Sequence, residues 1–226
     1  DADWADVPNS GTAYYNDRDY NGDGLPDAAP DRRDIQGSFK SVWMEGTNTL
    51  YLLLERFDDE ILSDDATSWY HVDGFELRID PMNEDEAGEP GGGNAFNIGF
   101  RVGKDEHTGI EGPLPTYEAK WMVDDSVFPT RAVFEAAFTL PTAAVLSQGY
   151  TIGFHVFFND VDNDDDSPGT KNAALQFWPQ LYDEATTAKL GVDETWANMH
   201  SWGDLFCVKM PTVHEVNGGG TGVIQA

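Results

Sequence analysis

Cysteine is almost missing: the 226-residue chain carries one, Cys207, which excludes an intramolecular disulfide. Cys207 sits in the apolar run Leu-Phe-Cys-Val, the setting of a buried structural thiol rather than a reactive one. Positive charge is scarce as well. Thirteen Lys and Arg face 41 Asp and Glu, for a formal net charge of -28. A surface of that sign repels nucleic acid and anionic membrane. It also repels itself unless cations screen or bind it, which suits a calcium-rich or saline medium outside the cell. No apolar run is long enough to span a bilayer, so membrane insertion is not expected. The start lacks a basic-plus-apolar signal peptide. Because it opens at Asp1 rather than Met, the expectation is a secreted product whose signal is already removed.

Catalytic signatures are missing too. The chain has no Gly-x-Ser-x-Gly elbow, no phosphate-binding glycine loop, no Cys-x-x-Cys and no His-Glu-x-x-His. Its histidines (His71, His107, His155, His200 and His214) are scattered, with no two at ligand spacing. Carboxylates are so abundant that picking two as a glycosidase acid and nucleophile would be arbitrary. The expectation is a protein that is not an enzyme.

What the chain does have is a core. It is 40% hydrophobic, with seven Trp and 13 Phe, which excludes disorder. Short Val-, Ile-, Phe-, Tyr- and Trp-rich runs are separated by Gly, Pro, Asn and Asp clusters, the pattern of strands joined by turns. Strands are predicted at 39–45, 49–57, 74–80, 95–102, 117–123, 131–140, 150–159, 173–178 and 203–210. Gly46-Thr47-Asn48 is expected to turn a tight hairpin between the first two. The predicted fold is all-β, an antiparallel, jelly-roll-like β-sandwich with long acidic loops at 81–93 and 161–172. Residues 179–189 carry a weak helical pattern. The expected organisation is an N-terminal segment, 1–38, packed on a sandwich over 39–210, followed by a Gly-rich tail or linker at 211–226.

Two acidic stretches have the spacing of cation loops. In the first, Asp17, Asp19, Asn21, Asp23 and Asp27 place oxygen ligands at alternating positions, with Gly24 at the turn. Ca²⁺ takes six to eight oxygen ligands in a pliable shell, and a loop of this kind can wrap one. An EF-hand would need Glu at its twelfth position, and Pro30 or Ala28 stands there instead. The stretch resembles the shorter Asp-rich loops of dockerins and thrombospondin type 3 repeats. The second comprises Asp160, Asp162, Asp164 and Asp166, where densely packed like charges favour disorder without a cation. In both stretches a solvated acidic turn is the alternative.

Three blocks are informative in combination. The first is Val42-Trp-Met-Glu-Gly-Thr-Asn-Thr-Leu50-Tyr51-Leu-Leu-Leu-Glu-Arg-Phe-Asp58-Asp. The second is Trp69-Tyr-His-Val-Asp73-Gly-Phe-Glu76-Leu-Arg-Ile-Asp80. The third begins Val133-Phe-Glu135-Ala-Ala-Phe-Thr-Leu-Pro141 and runs through Gly153-Phe-His-Val-Phe-Phe-Asn159-Asp160. It closes with Phe177-Trp178 and Trp196-Ala-Asn-Met-His-Ser-Trp202-Gly203-Asp-Leu. In this order and with similar gaps, residues 39–210 resemble family 9 carbohydrate-binding modules. The resemblance implies a β-sandwich with several bound calcium ions and a sugar held between two aromatic side chains. Trp69 and Trp178 correspond to that pair, while Trp43 and Trp202 are expected in the core. Asp73 and Glu76 match an acidic pair of the family, and Asn159 and Asp160 match its Asn-Asp strand end. Strand alternation puts His155, Phe157 and Asn159 on one face, the expected ligand side, and Phe154, Val156 and Phe158 on the other. The chain departs from the family at Phe157, where a polar Gln-like residue stands, and at Asn97 and Gly99, which replace an Arg-x-Asn.

Two other function classes stay open. A related sandwich binds b-type haem, and Met122, His155, Met199 and His200 are possible ligands. A structural subunit of an extracellular layer or filament would also suit the bare acidic surface. In that case the C-terminal tail could pair with a neighbour's sheet edge, giving self-association.

Overall fold

Strands predominate because hydrophobic residues alternate with polar ones along most segments. The computed structural model describes residues 4, 5, 7, 14–15, 35–62, 70–84, 94–161, 173–176 and 202–208. Strands run at Tyr14–Tyr15 (β1), Ile35–Trp43 (β2), Thr49–Asp58 (β3), Gly74–Asp80 (β4) and Phe96–Arg101 (β5). They continue at Gly109–Glu111 (β6), Thr116–Asp124 (β7), Thr130–Thr139 (β8), Thr151–Asp160 (β9), Ala173–Gln176 (β10) and Gly203–Phe206 (β11). Among the described residues there is no helix, and so none long and apolar enough to cross a membrane. The strands form two antiparallel sheets, as expected for a sandwich. One sheet has the order β2-β3-β8-β7. The other runs β1-β10-β9-β4-β5-β6, with β11 pairing the first half of β9.

The nine predicted strands all have counterparts, with shifted ends. β2 starts at Ile35 rather than Phe39, and β10 is described only to Gln176. β1 and β6 were not expected, since two or three residues are too few to show a period. The hairpin between β2 and β3 forms where predicted, with Trp43 opposite Leu50. Gly46 takes φ +74° there, a left-handed conformation that a side chain would strain.

The core lies between the sheets. Leu50, Leu52 and Leu54 of β3 and Phe134, Ala136 and Phe138 of β8 face Phe75, Leu77 and Ile79 of β4. Phe96, Ile98 and Phe100 of β5 and Ile152, Phe154, Val156 and Phe158 of β9 complete it. Phe134 is the contact point between layers, with Phe75 edge-on at 4.7 Å and Phe100 tilted at 4.7 Å. Aromatic pairs at such distances add to what burial alone contributes. Trp202 is buried beside Ala95, as expected, whereas Trp43, expected in the core, is only partly buried against the edge of the main cluster. Cys207 is a buried free thiol, also as expected. Of the acidic loops expected at 81–93 and 161–172 only 81–84 and 161 are described, and the rest lie outside the described residues, as does 179–189, where a helical turn was expected.

The inward faces of both sheets turn polar at one end. Alternation along β3 carries Leu50, Leu52 and Leu54 on to Arg56 and Asp58, all buried. Opposite them, Asp73 leads into β4 and Asp160 ends β9. On the outer side of the larger sheet, Glu76 and Arg78 of β4 lie between Asn97 of β5 and His155, Phe157 and Asn159 of β9. The register sets Arg78 opposite both Asn97 and His155, and Glu76 opposite Phe157.

Candidate functional site

Two polar constellations result, one outside the larger sheet and one between the sheets. The outer one centres on Glu76. Its Oε2 accepts from Arg78 Nη2 at 2.9 Å and from Asn97 Nδ2 at 3.4 Å. Its Oε1 accepts from Asn159 Nδ2 at 3.1 Å. Asn97 Nδ2 also donates to Glu111 Oε2 of β6 at 3.2 Å. The Arg78 guanidinium lies over the Phe157 ring, 5.3 Å from its centre, an arrangement that attracts a cation to the ring face. Glu76, Arg78, Asn97, His155, Phe157 and Asn159 are each at most 4% exposed. The Asn97 Oδ1 atom is buried and has no hydrogen-bond donor among the described residues. An acceptor in that state is costly unless a partner reaches it.

The expected ligand face therefore does bring Glu76, His155 and Asn159 onto one side of the sheet. Asp73 does not join them. Its side chain turns inward, where Oδ1 accepts from Arg56 Nη2 at 2.6 Å and from the Val161 amide at 3.0 Å. Its Oδ2 accepts from the Leu62 amide. Arg78 and Glu111 were not anticipated, although Glu76 and Arg78 stand two apart on a strand and so share a face. Trp69 and Trp178 lie outside the described residues. So do Asp17, Asp19, Asn21, Asp23, Asp27, Asp162, Asp164 and Asp166. Of the possible haem ligands, Met122 is exposed on β7 in one sheet and His155 is buried on β9 in the other. Met199 and His200 lie outside the described residues.

Between the sheets, the Arg56 guanidinium gathers Asp58, Asp73 and Asp160, all buried. Nη2 bonds a carboxylate oxygen of each, at 2.6 Å for Asp73 and 2.8 Å for Asp160, and Nε bonds Asp58 at 2.5 Å. Nη1 donates to the carbonyl oxygens of Gly74, at 3.3 Å, and Asn159. Asp160, expected to open an acidic loop, is thus drawn into an ion cluster at the end of β9.

Burial pulls the Arg56 guanidinium down, but the surrounding Asp58, Asp73 and Asp160 outweigh it and raise it. Burial likewise raises Asp58 against the pull of Arg56. It pushes Asp73 up to about 8, again opposed by Arg56. A carboxyl whose folded value exceeds its unfolded one, about 3.9, keeps a proton that the unfolded chain has lost. Its contribution to stability is then complete at low pH and declines as pH rises from about 4 to about 8. We expect the stability difference between wild type and Asp73→Asn, from urea melts at several pH values, to fall across that window. A difference that is flat in pH would contradict the assignment. Comparison with the variant removes the general effect of a net charge of -28.

A family model described as carbohydrate family 9 binding domain-like matches residues 9–209. Among solved structures, the chain is similar to a carbohydrate binding module family 9 from Caldicellulosiruptor kristjanssonii in complex with cellotriose. The TM-score is 0.64 and the identity 16%, covering 96% of this chain and 92% of that one. The module from the same organism in complex with glucose gives 0.62 and 15%, covering 94% and 91%. No curated protein matches at the sequence level.

Proposed function

Because the chain belongs to the carbohydrate family 9 binding domain-like family, whose members are non-catalytic binding modules, we propose that it is a secreted, calcium-stabilised domain that holds a sugar between Trp69 and Trp178. Glu76, Asn97 and Asn159 are the polar partners of the sugar hydroxyls in this reading. The observation that carries it is the outer network around Glu76 with the unpartnered Asn97 Oδ1. A carboxylate and two amides within one hydrogen-bonded group offer acceptors and donors together. A sugar hydroxyl is both, so it can exchange places with bonds already made there. Indole rings supply the apolar plane that the C–H face of a pyranose needs. The glucose and cellotriose held by the two similar modules make β-linked glucose oligomers the first ligands to try.

The test is isothermal titration with glucose, cello-oligosaccharides and a wider sugar panel in calcium buffer. The Trp69→Ala, Trp178→Ala double variant should fold and lose about a hundredfold or more in affinity, roughly 2.7 kcal/mol. Glu76→Gln keeps the shape but loses the charge, and we expect it to weaken binding about tenfold, as charge-assisted hydrogen bonds are the stronger kind. Failure of the folded wild type to bind any sugar would reject the carbohydrate role. The assembly role would then lead, to be checked by size-exclusion chromatography with and without residues 211–226.

Calcium enters this proposal through the loop of Asp17, Asp19, Asn21, Asp23 and Asp27 and the stretch of Asp162, Asp164 and Asp166, Asp160 being taken up by Arg56. An ion that binds only the folded state stabilises it by mass action. EDTA should therefore lower the melting temperature by about 5 °C or more. Superimposable melting curves with calcium and with EDTA would rule out structural calcium. Secretion is supported by the acidic composition, which suits a calcium-rich medium, and with a single cysteine the cross-links open to the chain are ions.

A further inference from the structure

We propose that Arg56 performs, from within the chain, the task of a divalent cation at the junction of β3, β4 and β9. The junction is therefore metal-independent, and removing the guanidinium uncovers a latent calcium site. The inference goes beyond the carbohydrate reading and does not depend on it.

The donor set is what makes the comparison with a metal apt. Among the described residues, the guanidinium's hydrogen bonds go to oxygen: the carboxylates of Asp58, Asp73 and Asp160 and the carbonyls of Gly74 and Asn159. Carboxylate and carbonyl oxygens are the ligands that hard cations such as Ca²⁺ prefer. Ligand oxygens of the three carboxylates lie within 4.8 Å of one another. Two oxygens on opposite sides of a calcium ion, each about 2.4 Å away, would be separated by about that distance. Three buried carboxylates at this spacing raise the question of whether an ion belongs here. In this chain it does not fit, because Nη2 already stands at the common point, 2.6 Å from Asp73 and 2.8 Å from Asp160.

The backbone holds two of the three carboxylates as well. Asp58 Oδ1 accepts from the Glu60 amide at 3.0 Å, and Asp73 accepts from the Leu62 and Val161 amides. These N–H groups fix the carboxylates at the strand ends whether or not the guanidinium is present. Two sides of the oxygen cage are thus held by the backbone, Asp160 closes the third from the end of β9, and the arginine is the occupant. An arginine is a cation that cannot be chelated away or diluted out. It joins β3 of one sheet to β4 and β9 of the other at a fixed stoichiometry. Substituting a small side chain for Arg56 would leave a buried cage of three carboxyl groups, from which an entering calcium ion displaces the protons that neutralise them. The contraction needed to reach Ca²⁺ bond lengths is a few tenths of an ångström. Mg²⁺ requires shorter bonds and near-octahedral geometry, so the cage should prefer calcium.

The experiment compares the intact wild-type chain with Arg56→Ala, using calcium stoichiometry from equilibrium dialysis and melting temperature in EDTA, CaCl₂ and MgCl₂. The wild type sets the baseline for any loop sites. Arg56→Ala should bind one calcium more per chain than wild type. Its melting temperature should rise in calcium by about 5 °C more than that of wild type at about a hundredfold excess over Kd. Magnesium should give little of that rise. In Arg56→Ala, Asp73→Asn the extra ion should disappear. Equal stoichiometry and equal calcium response in wild type and Arg56→Ala would overturn the proposal. If Arg56→Ala does not fold in any buffer, Asp58→Asn in the wild-type background decides. Unchanged calcium stoichiometry supports an arginine-filled junction, and loss of one ion overturns it.

Discussion

Arg56→Met is expected to destabilise the protein by about 3–5 kcal/mol at neutral pH in the presence of a chelator, measured by urea denaturation. Methionine fills much of the same volume with apolar atoms, so the loss is electrostatic more than a matter of packing. The wild-type cation meets Asp58, Asp73 and Asp160, each buried, and without it these three carboxyl groups face one another in a dry space. Removing one partner of a buried ion cluster is far more damaging than never having built it, since the charges left behind cannot return to water. The variant's escape is to bind protons. Without the cation the carboxyls are raised further, so the unfolded chain releases protons that the folded one retains. Its stability should then fall more steeply with pH than that of wild type. Near pH 4 to 5 the two should converge, and toward pH 8 they should diverge. A loss below about 1 kcal/mol at neutral pH, or one that does not vary with pH, would mean that the cluster contributes nothing to holding the sheets together.

How much of this could be read in the sequence depends on the range of the interaction. Alternation is local, so β3, β4, β8 and β9 and their inward residues were legible, down to Phe154, Val156 and Phe158 on one side and His155, Phe157 and Asn159 on the other. The same alternation carried a further signal that went unused. In Leu50-x-Leu52-x-Leu54-x-Arg56-x-Asp58 the inward positions change from apolar to charged without losing their period. Such a change marks the place where a sandwich must supply buried counter-charges. The partners themselves were not legible. Asp73 and Asp160 are 17 and 104 residues from Arg56, and only the crossing of strands from two sheets brings them together. Asp160 was misleading because it borders an acidic stretch whose composition resembles a loop. Asp73 was misleading because it stands three positions before Glu76, and an odd spacing along a strand sends the two side chains to opposite faces.

The β4 region thus divides its residues between two tasks. Asp73 and Phe75 face inward, to the ion cluster and the aromatic core, while Glu76 and Arg78 face outward to the proposed sugar network. Gly74 stands between them, and its carbonyl accepts from Arg56 at 3.3 Å. Any shift of β4 along its length would move both sites at once. The proposed ligand face and the inter-sheet junction are therefore set by the same register, Gly74 opposite Arg101 on one side and Asn159 on the other.

This is why Gly74→Ala should have the second large effect, a loss of about 3 kcal/mol or more. Replacing Gly by Ala where the backbone permits it normally stabilises by roughly 0.4–1 kcal/mol, because the unfolded chain loses freedom. Here the sign should reverse. A Cβ at Gly74 would lie 2.1 Å from the Phe100 carbonyl oxygen and 3.1 Å from its carbon, both backbone atoms of the neighbouring strand. No rotamer change relieves that overlap; β4 and β5 must separate. As β9 pairs with the other edge of β4, the strand has no free side toward which to move. Gly153→Ala is the matched control on β9. Its Cβ would meet Asp80 Cβ at 3.0 Å and Asn83 Oδ1 at 3.2 Å, a crowding of a few tenths of an ångström rather than an overlap with backbone, so its cost should be smaller. Urea midpoints of the two variants measured together would test the argument. A Gly74→Ala protein as stable as Gly153→Ala would mean that β4 tolerates displacement from β5, and that the two sites do not share a rigid register.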